Sequence, residues 1–251
     1  MKKMMAMVMA LVLASGISAC GSVNVNSGSG AKAKSAVSQG CETFETTNAE
    51  DTENSDTEEE QNMMKVGGWK VVAGDTSLDK NADAKSAFEK ATAELVGANY
   101  ESVALLGTQI VAGTNYCILC RLTAVVPDAE PSFSLVYIYE DLEGNAEITD
   151  VKELIGEQTD GGFRANAGEV TLEKNEKAKS IYDSAMAELV GVDYEPIAYL
   201  GSQVVAGTNH LYLCRSTVVV PDAEPTLVLL TIYEDLDGNT EFLDTEEIVF
   251  N

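Results

Sequence analysis

A chain of 251 residues with a formal net charge of −25 carries no basic surface. Nucleic-acid binding is therefore excluded, since affinity for a phosphate backbone rests on Lys and Arg. The single His and five Cys sit in no Ser/His/Asp or Cys/His set, and no Gly-rich phosphate loop is present, so enzymatic activity and a cofactor are not expected.

Met1-Lys2-Lys3 is a short basic head, and Met4 to Ala14 is an apolar run too short to span a bilayer. Small residues follow, which is the pattern of a secretory signal peptide over residues 1–19. The run ends Ile17-Ser18-Ala19-Cys20-Gly21. This resembles the bacterial lipobox, which implies lipidation at Cys20 and a membrane partner through that anchor. The alternative is an ordinary signal peptide with a Cys nearby. The resemblance implies an exported, cell-envelope lipoprotein held at the outer side of a membrane. Residues 20–62 read as lipid attachment and a disordered acidic linker: Gly, Ser and Asn first, then Glu, Asp and Thr. Such a segment buries too little apolar area to offset its conformational entropy.

From Gly67 onward the chain repeats with a period of 94 residues and no insertion, with about half the positions identical. Two units follow, 63–157 and 158–251. Within the first, a short strand starts near Trp69. Asp79 to Val96 reads as a helix, with Ala84, Ala87, Phe88, Ala91 and Leu95 on one apolar stripe. Glu101 to Val111 and Tyr116 to Val126 are the arms of a hairpin, reversed by Gly113-Thr114-Asn115. Ser132 to Tyr139 is another strand, Glu140 to Asn145 a turn, and Ala146 to Leu154 a last strand or short helix. The expected fold class is α+β: two tandem units, each two layers, one helix on an antiparallel sheet of four to five strands. After the hairpin, Tyr116, Ile118, Cys120, Leu122 and Val126 share one face. Arg121, and Arg215 in the second repeat, are then expected to face solvent.

The tip is small and apolar where a surface hairpin is normally polar. Gln109-Ile110-Val111-Ala112-Gly113 and Gln203-Val204-Val205-Ala206-Gly207 resemble the Gln-x-Val-x-Gly hairpin of the cystatins, reversible inhibitors of papain-like cysteine proteases. Each copy is extended by Thr-Asn and preceded by Gly-Gly-aromatic (Gly67-Gly68-Trp69, Gly161-Gly162-Phe163) and a helical stretch. The resemblance covers about residues 63–251 and implies that in each unit the sheet wraps around the helix.

It implies a wedge of three parts that fills the cleft of a papain-like cysteine protease without offering a cleavable bond. In the first unit the parts are Val66-Gly67-Gly68, the hairpin Gln109 to Gly113, and Leu142 in the second turn, with Met64 a further apolar anchor. In the second they are Gly161-Gly162, the hairpin Gln203 to Gly207, and Leu236. Residues Gln158-Thr159-Asp160 before that glycine pair are polar. Many cystatins carry Pro-Trp in the second turn, whereas this chain has Glu-Asp-Leu. A side chain placed at Gly113 or Gly207 is expected to block the wedge and leave the fold intact. The alternative function is a non-inhibitory, surface-tethered protein-binding lipoprotein for adhesion or assembly.

Cys117-x-x-Cys120 resembles a redox or zinc half-motif, but residues three apart on a strand point to opposite faces. No metal site is expected. A Cys120–Cys214 bridge would join equivalent buried positions of different units and is not expected. His210, which replaces Tyr116 of the first repeat, reads as a packing residue.

Overall fold

The computed structural model describes residues 67–156 and 161–251. The signal peptide, Cys20, Cys41, the linker, Met64, Val66 and Gln158 to Asp160 lie outside the described residues.

The first repeat contains β1 (Trp69–Val71), a 3-10 turn (Leu78–Lys80), α1 (Ala82–Thr92), β2 (Ala98–Val111), β3 (Gly113–Ala124), β4 (Pro131–Glu140) and β5 (Ala146–Ile155). The second contains β6 (Arg164–Ala165), α2 (Glu176–Met186), β7 (Val192–Val205), β8 (Gly207–Val218), β9 (Thr226–Glu234) and β10 (Thr240–Ile248). Each repeat forms one antiparallel five-stranded sheet, ordered β1-β2-β3-β4-β5 and β10-β9-β8-β7-β6. The chain is mostly β, and this corrects the expected α+β class with a sheet wrapped on one helix per unit. The physical reason lies in the strands. The central strands β2–β4 and β7–β9 bury apolar residues on both faces, and an 11-residue helix, about 16 Å long, leaves most of that surface uncovered.

Tyr116, Ile118 and Cys120 pack with Ala84, Ala87 and Phe88 of α1. The alternate residues Cys117 and Leu119, with Leu106, Phe133, Leu135 and Tyr137, instead meet Leu200, Leu211, Leu213 and Leu227 of the other repeat in a shared core. The second repeat repeats the helix-side cluster with Ala178, Ile181, Tyr182, Tyr212 and Cys214. Residues Glu60–Asn251 accordingly form one compact unit.

The shared core also corrects the expected solvent-facing arginines. The face opposite the helix meets the other sheet. Arg215 is 7% exposed and donates from Nη1 to the carbonyls of Val72 and, at 3.1 Å, Gly74 of the first repeat. Arg121 reciprocates, donating from Nη1 to Gly168 O at 2.7 Å. Each guanidinium is paired with a carboxylate of its own sheet, Glu195 and Glu101 respectively. A buried Arg is tolerable only when its charge and donors are satisfied in this way.

Two local expectations also change. The helix spans Ala82–Thr92 rather than Asp79 to Val96, and Leu95 lies past its end, exposed. The residues before Gly97 (φ +99°) turn the chain into β2, and the Val125 N–H donates to Gly97 O at 2.9 Å to hold that reversal. Gly113-Thr114-Asn115 are not the turn. They belong to β3, paired with Val111, Ile110 and Gln109, and Ala112 alone separates the strands.

Candidate functional site

Three segments of each repeat meet at one end of its sheet and form a common edge there. In the first, Gln109 reaches back from the end of β2. Its Nε2 donates to Gly67 O at 2.9 Å, while its Oε1 accepts from Asn115 Nδ2 at 2.7 Å. A side-chain amide thus ties the glycine segment to the hairpin. On the other side, Tyr139 Oη donates to Ala112 O at 2.5 Å, tying the hairpin to the strand that leads into the second turn. The second repeat reproduces every bond. Gln203 Nε2 donates to Gly161 O at 2.6 Å, Asn209 Nδ2 to Gln203 Oε1 at 2.8 Å, and Tyr233 Oη to Ala206 O at 2.5 Å.

The second turn closes on itself. Asp141 Oδ1 accepts from the backbone N–H of Glu143 at 3.0 Å and of Asn145 at 2.8 Å, and Oδ2 accepts from Asn145 Nδ2 at 2.8 Å. Those bonds, led by the Asn145 amide, hold the Asp141 carboxyl below its ordinary pKa, and Asn239 does the same for Asp235. The closed turn pushes Leu142 outward to 80% exposure, and Leu236 to 87%. Ile110 (44%), Val111, Val204 (82%) and Val205 are also exposed, as are the tip residues Ala112 and Ala206.

Gly67 and Gly161 are exposed, with φ of +92° and +78°; Gly68 and Gly162 follow half-buried. Among the described residues the structure therefore brings together Gly67, Gly68, Gln109 to Gly113 and Leu142, and likewise Gly161, Gly162, Gln203 to Gly207 and Leu236. Val66 lies outside them.

The tip glycines do not behave as expected. Gly113 has φ +127° and Gly207 φ +135°. A Cβ on Gly113 would run into the carbonyl oxygen of Glu140 and the Tyr139 ring, and one on Gly207 into Glu234 and Tyr233. These positions are packed against β4 and β9, so a side chain there distorts the hairpin instead of only covering its tip.

Sequence reasoning missed Tyr139 and Tyr233, and read Asn115 and Asn209 as turn and motif residues without their bonds to Gln109 and Gln203. The available signal was their recurrence at identical places in both repeats.

Behind the edge, Tyr116 Oη donates to Glu140 Oε2 at 3.2 Å, and burial pushes the phenol up to about 12. His210 takes that place in the second repeat, 3.1 Å from Glu234 Oε2 through Nε2 and 3.0 Å from the Tyr199 hydroxyl through Nδ1. Burial lowers its pKa, and Glu234 opposes that shift.

Cys117, Cys120 and Cys214 are free and buried. Cys117 lies in the core between the sheets and Cys120 under α1, so the Cys-x-x-Cys spacing splits across the strand. Burial raises the Cys117 thiol to about 12, which leaves it inert as a nucleophile at neutral pH. Among the described residues no three potential metal ligands lie together. In comparisons with known proteins, no family model and no curated protein matches the chain.

Proposed function

We propose that this chain is a reversible inhibitor of papain-like cysteine proteases, acting by steric occlusion, with the hairpins at Gln109 to Gly113 and Gln203 to Gly207 entering the active-site cleft. The observation that carries the reading is the bonded convergence of glycine segment, apolar hairpin and exposed leucine turn on one edge. The site has no acid–base pair or nucleophile to contribute, and occlusion needs none. It needs a narrow apolar projection that keeps its shape. The Gln109–Gly67 and Tyr139–Ala112 bonds hold that shape before docking, so little conformational entropy is lost on binding.

Leu142 and Leu236 supply the anchor of the second turn, where many cystatins carry Trp. An aromatic hot spot contributes about 2 kcal/mol or more to an interface, so a Leu there lowers affinity unless other contacts compensate. Lipidation at Cys20 would hold this edge near a membrane surface, by the lipobox resemblance alone.

The test is titration of papain, and of a cathepsin, with the full chain while residual activity is followed. Stoichiometric, reversible loss of activity is expected. The substitutions Ala112→Arg and Ala206→Arg together should abolish it, since both side chains are exposed and the backbone carbonyls held by Tyr139 and Tyr233 remain. No inhibition at micromolar chain would overturn the proposal in favour of a tethered binding protein.

A further inference from the structure

We infer that one chain holds two protease molecules at the same time, one at each end, and so bridges them; this rests on the inhibitory reading above. The two wedge edges lie at opposite ends of the unit that the two repeats form, and two contacts between the repeats establish it. Arg164 stands opposite Ser202 in the register of β6 with β7, next to the second edge. Its guanidinium pairs at 2.5 Å with Glu130, in the turn that joins β3 to β4 at the end of the first sheet away from Ala112. Conversely, Trp69 stands opposite Gln109 at the first edge. Its Nε1 donates at 2.8 Å to Asn251 O, just beyond β10, whose Ile248 pairs with Leu227 at the end of the second sheet away from Ala206.

Chain connectivity agrees. β5 runs away from the first edge and ends at Ile155, while Gly161 already bonds Gln203 at the second edge. The intervening residues reach at most about 20 Å. That is roughly half the length of the 12-residue strand β3, about 40 Å at strand rise. The start of the second repeat must therefore sit at the far end of the first sheet.

The tips consequently point apart, with roughly 40–50 Å between them at the usual rise per residue. A partner of about 200 residues has a radius of gyration near 16–17 Å, so one at each end leaves the other room. The bonds that hold each wedge also lie wholly inside its own repeat: Gly67, Gln109, Asn115, Ala112 and Tyr139 in one, their counterparts in the other. Occupying one edge breaks nothing at the other, so the two sites act independently.

The experiment measures molar mass by light scattering, with the full chain saturated by papain whose catalytic thiol carries a small methylthio block. Two papain molecules per chain are expected. Ala112→Arg with Leu142→Arg should leave one, as should Ala206→Arg with Leu236→Arg, and the four together none. Unchanged melting of these variants would locate each loss at the substituted edge. One papain per wild-type chain at saturation overturns the inference and leaves the inhibitory reading standing. No complex at all overturns both.

Discussion

At His210 the two repeats differ in chemistry while agreeing in geometry. Tyr116 and His210 occupy the same place, and each bonds the carboxylate at the end of the adjoining strand, Glu140 or Glu234. His210 is 4% exposed, with Tyr199, Glu234 and Lys177 as its polar and charged neighbours. Burial sets its pKa below the ordinary 6.5, so the native state favours the neutral ring. In the unfolded chain the ring takes a proton as pH falls through its ordinary value; in the folded chain it resists until lower pH. The stability linked to the neutral ring is therefore complete above the ordinary value and is lost as pH falls through the depressed one. Melting temperatures of wild type and His210→Tyr across this range should diverge, wild type losing more below the ordinary histidine value. Parallel pH profiles for the two proteins would refute a buried neutral His210.

Among the elements, the hairpin and the turn beside it act as one piece because of Tyr139 and Tyr233. Each phenol reaches across from the end of a neighbouring strand to the single residue that separates the hairpin arms. Removing such a bond costs about 0.5–1.5 kcal/mol, here mostly from the order of the tip, since the bond is exposed. Tyr139→Phe with Tyr233→Phe should weaken papain inhibition by roughly 3- to 10-fold on that energy scale, with little change in melting. Unchanged inhibition would mean that the tip keeps its shape without the tie. The hairpin arms themselves were legible from alternation and β-branched residues. The turn was not: Gly, Thr and Asn are turn formers by propensity, yet Gly113 is needed inside β3 because Glu140 and Tyr139 crowd its α-carbon. Sequence shows the glycine and not the neighbour that requires it. The same limit applies to the helix end, where Leu95 continues the apolar stripe in sequence but falls beyond the last turn.

At the scale of the whole molecule the decisive surface is the second apolar face of each sheet. Tandem repeats with a short connection read naturally as two beads, because each has its own helix and its own strands. What periodicity cannot convey is that residues such as Leu119 and Leu213, on the face opposite the helix, find each other and not water. Leu106, Leu119, Phe133 and Leu135 are fully buried in that shared core. At about 1.5–3 kcal/mol per large apolar side chain, four of them contribute a stabilisation similar to the entire 5–15 kcal/mol of a typical domain. A single repeat, residues 63–157, should therefore not persist as a folded monomer. Since the two repeats present equivalent faces, the expected outcome is a homodimer that stacks two copies of this face with the sense seen between the repeats, with aggregation when concentrated. Molar mass and circular dichroism on dilution would decide it. A monomer retaining native β signal and a cooperative melt would show that each repeat stabilises itself, and that Arg121, Arg215 and the shared core only dock two finished units.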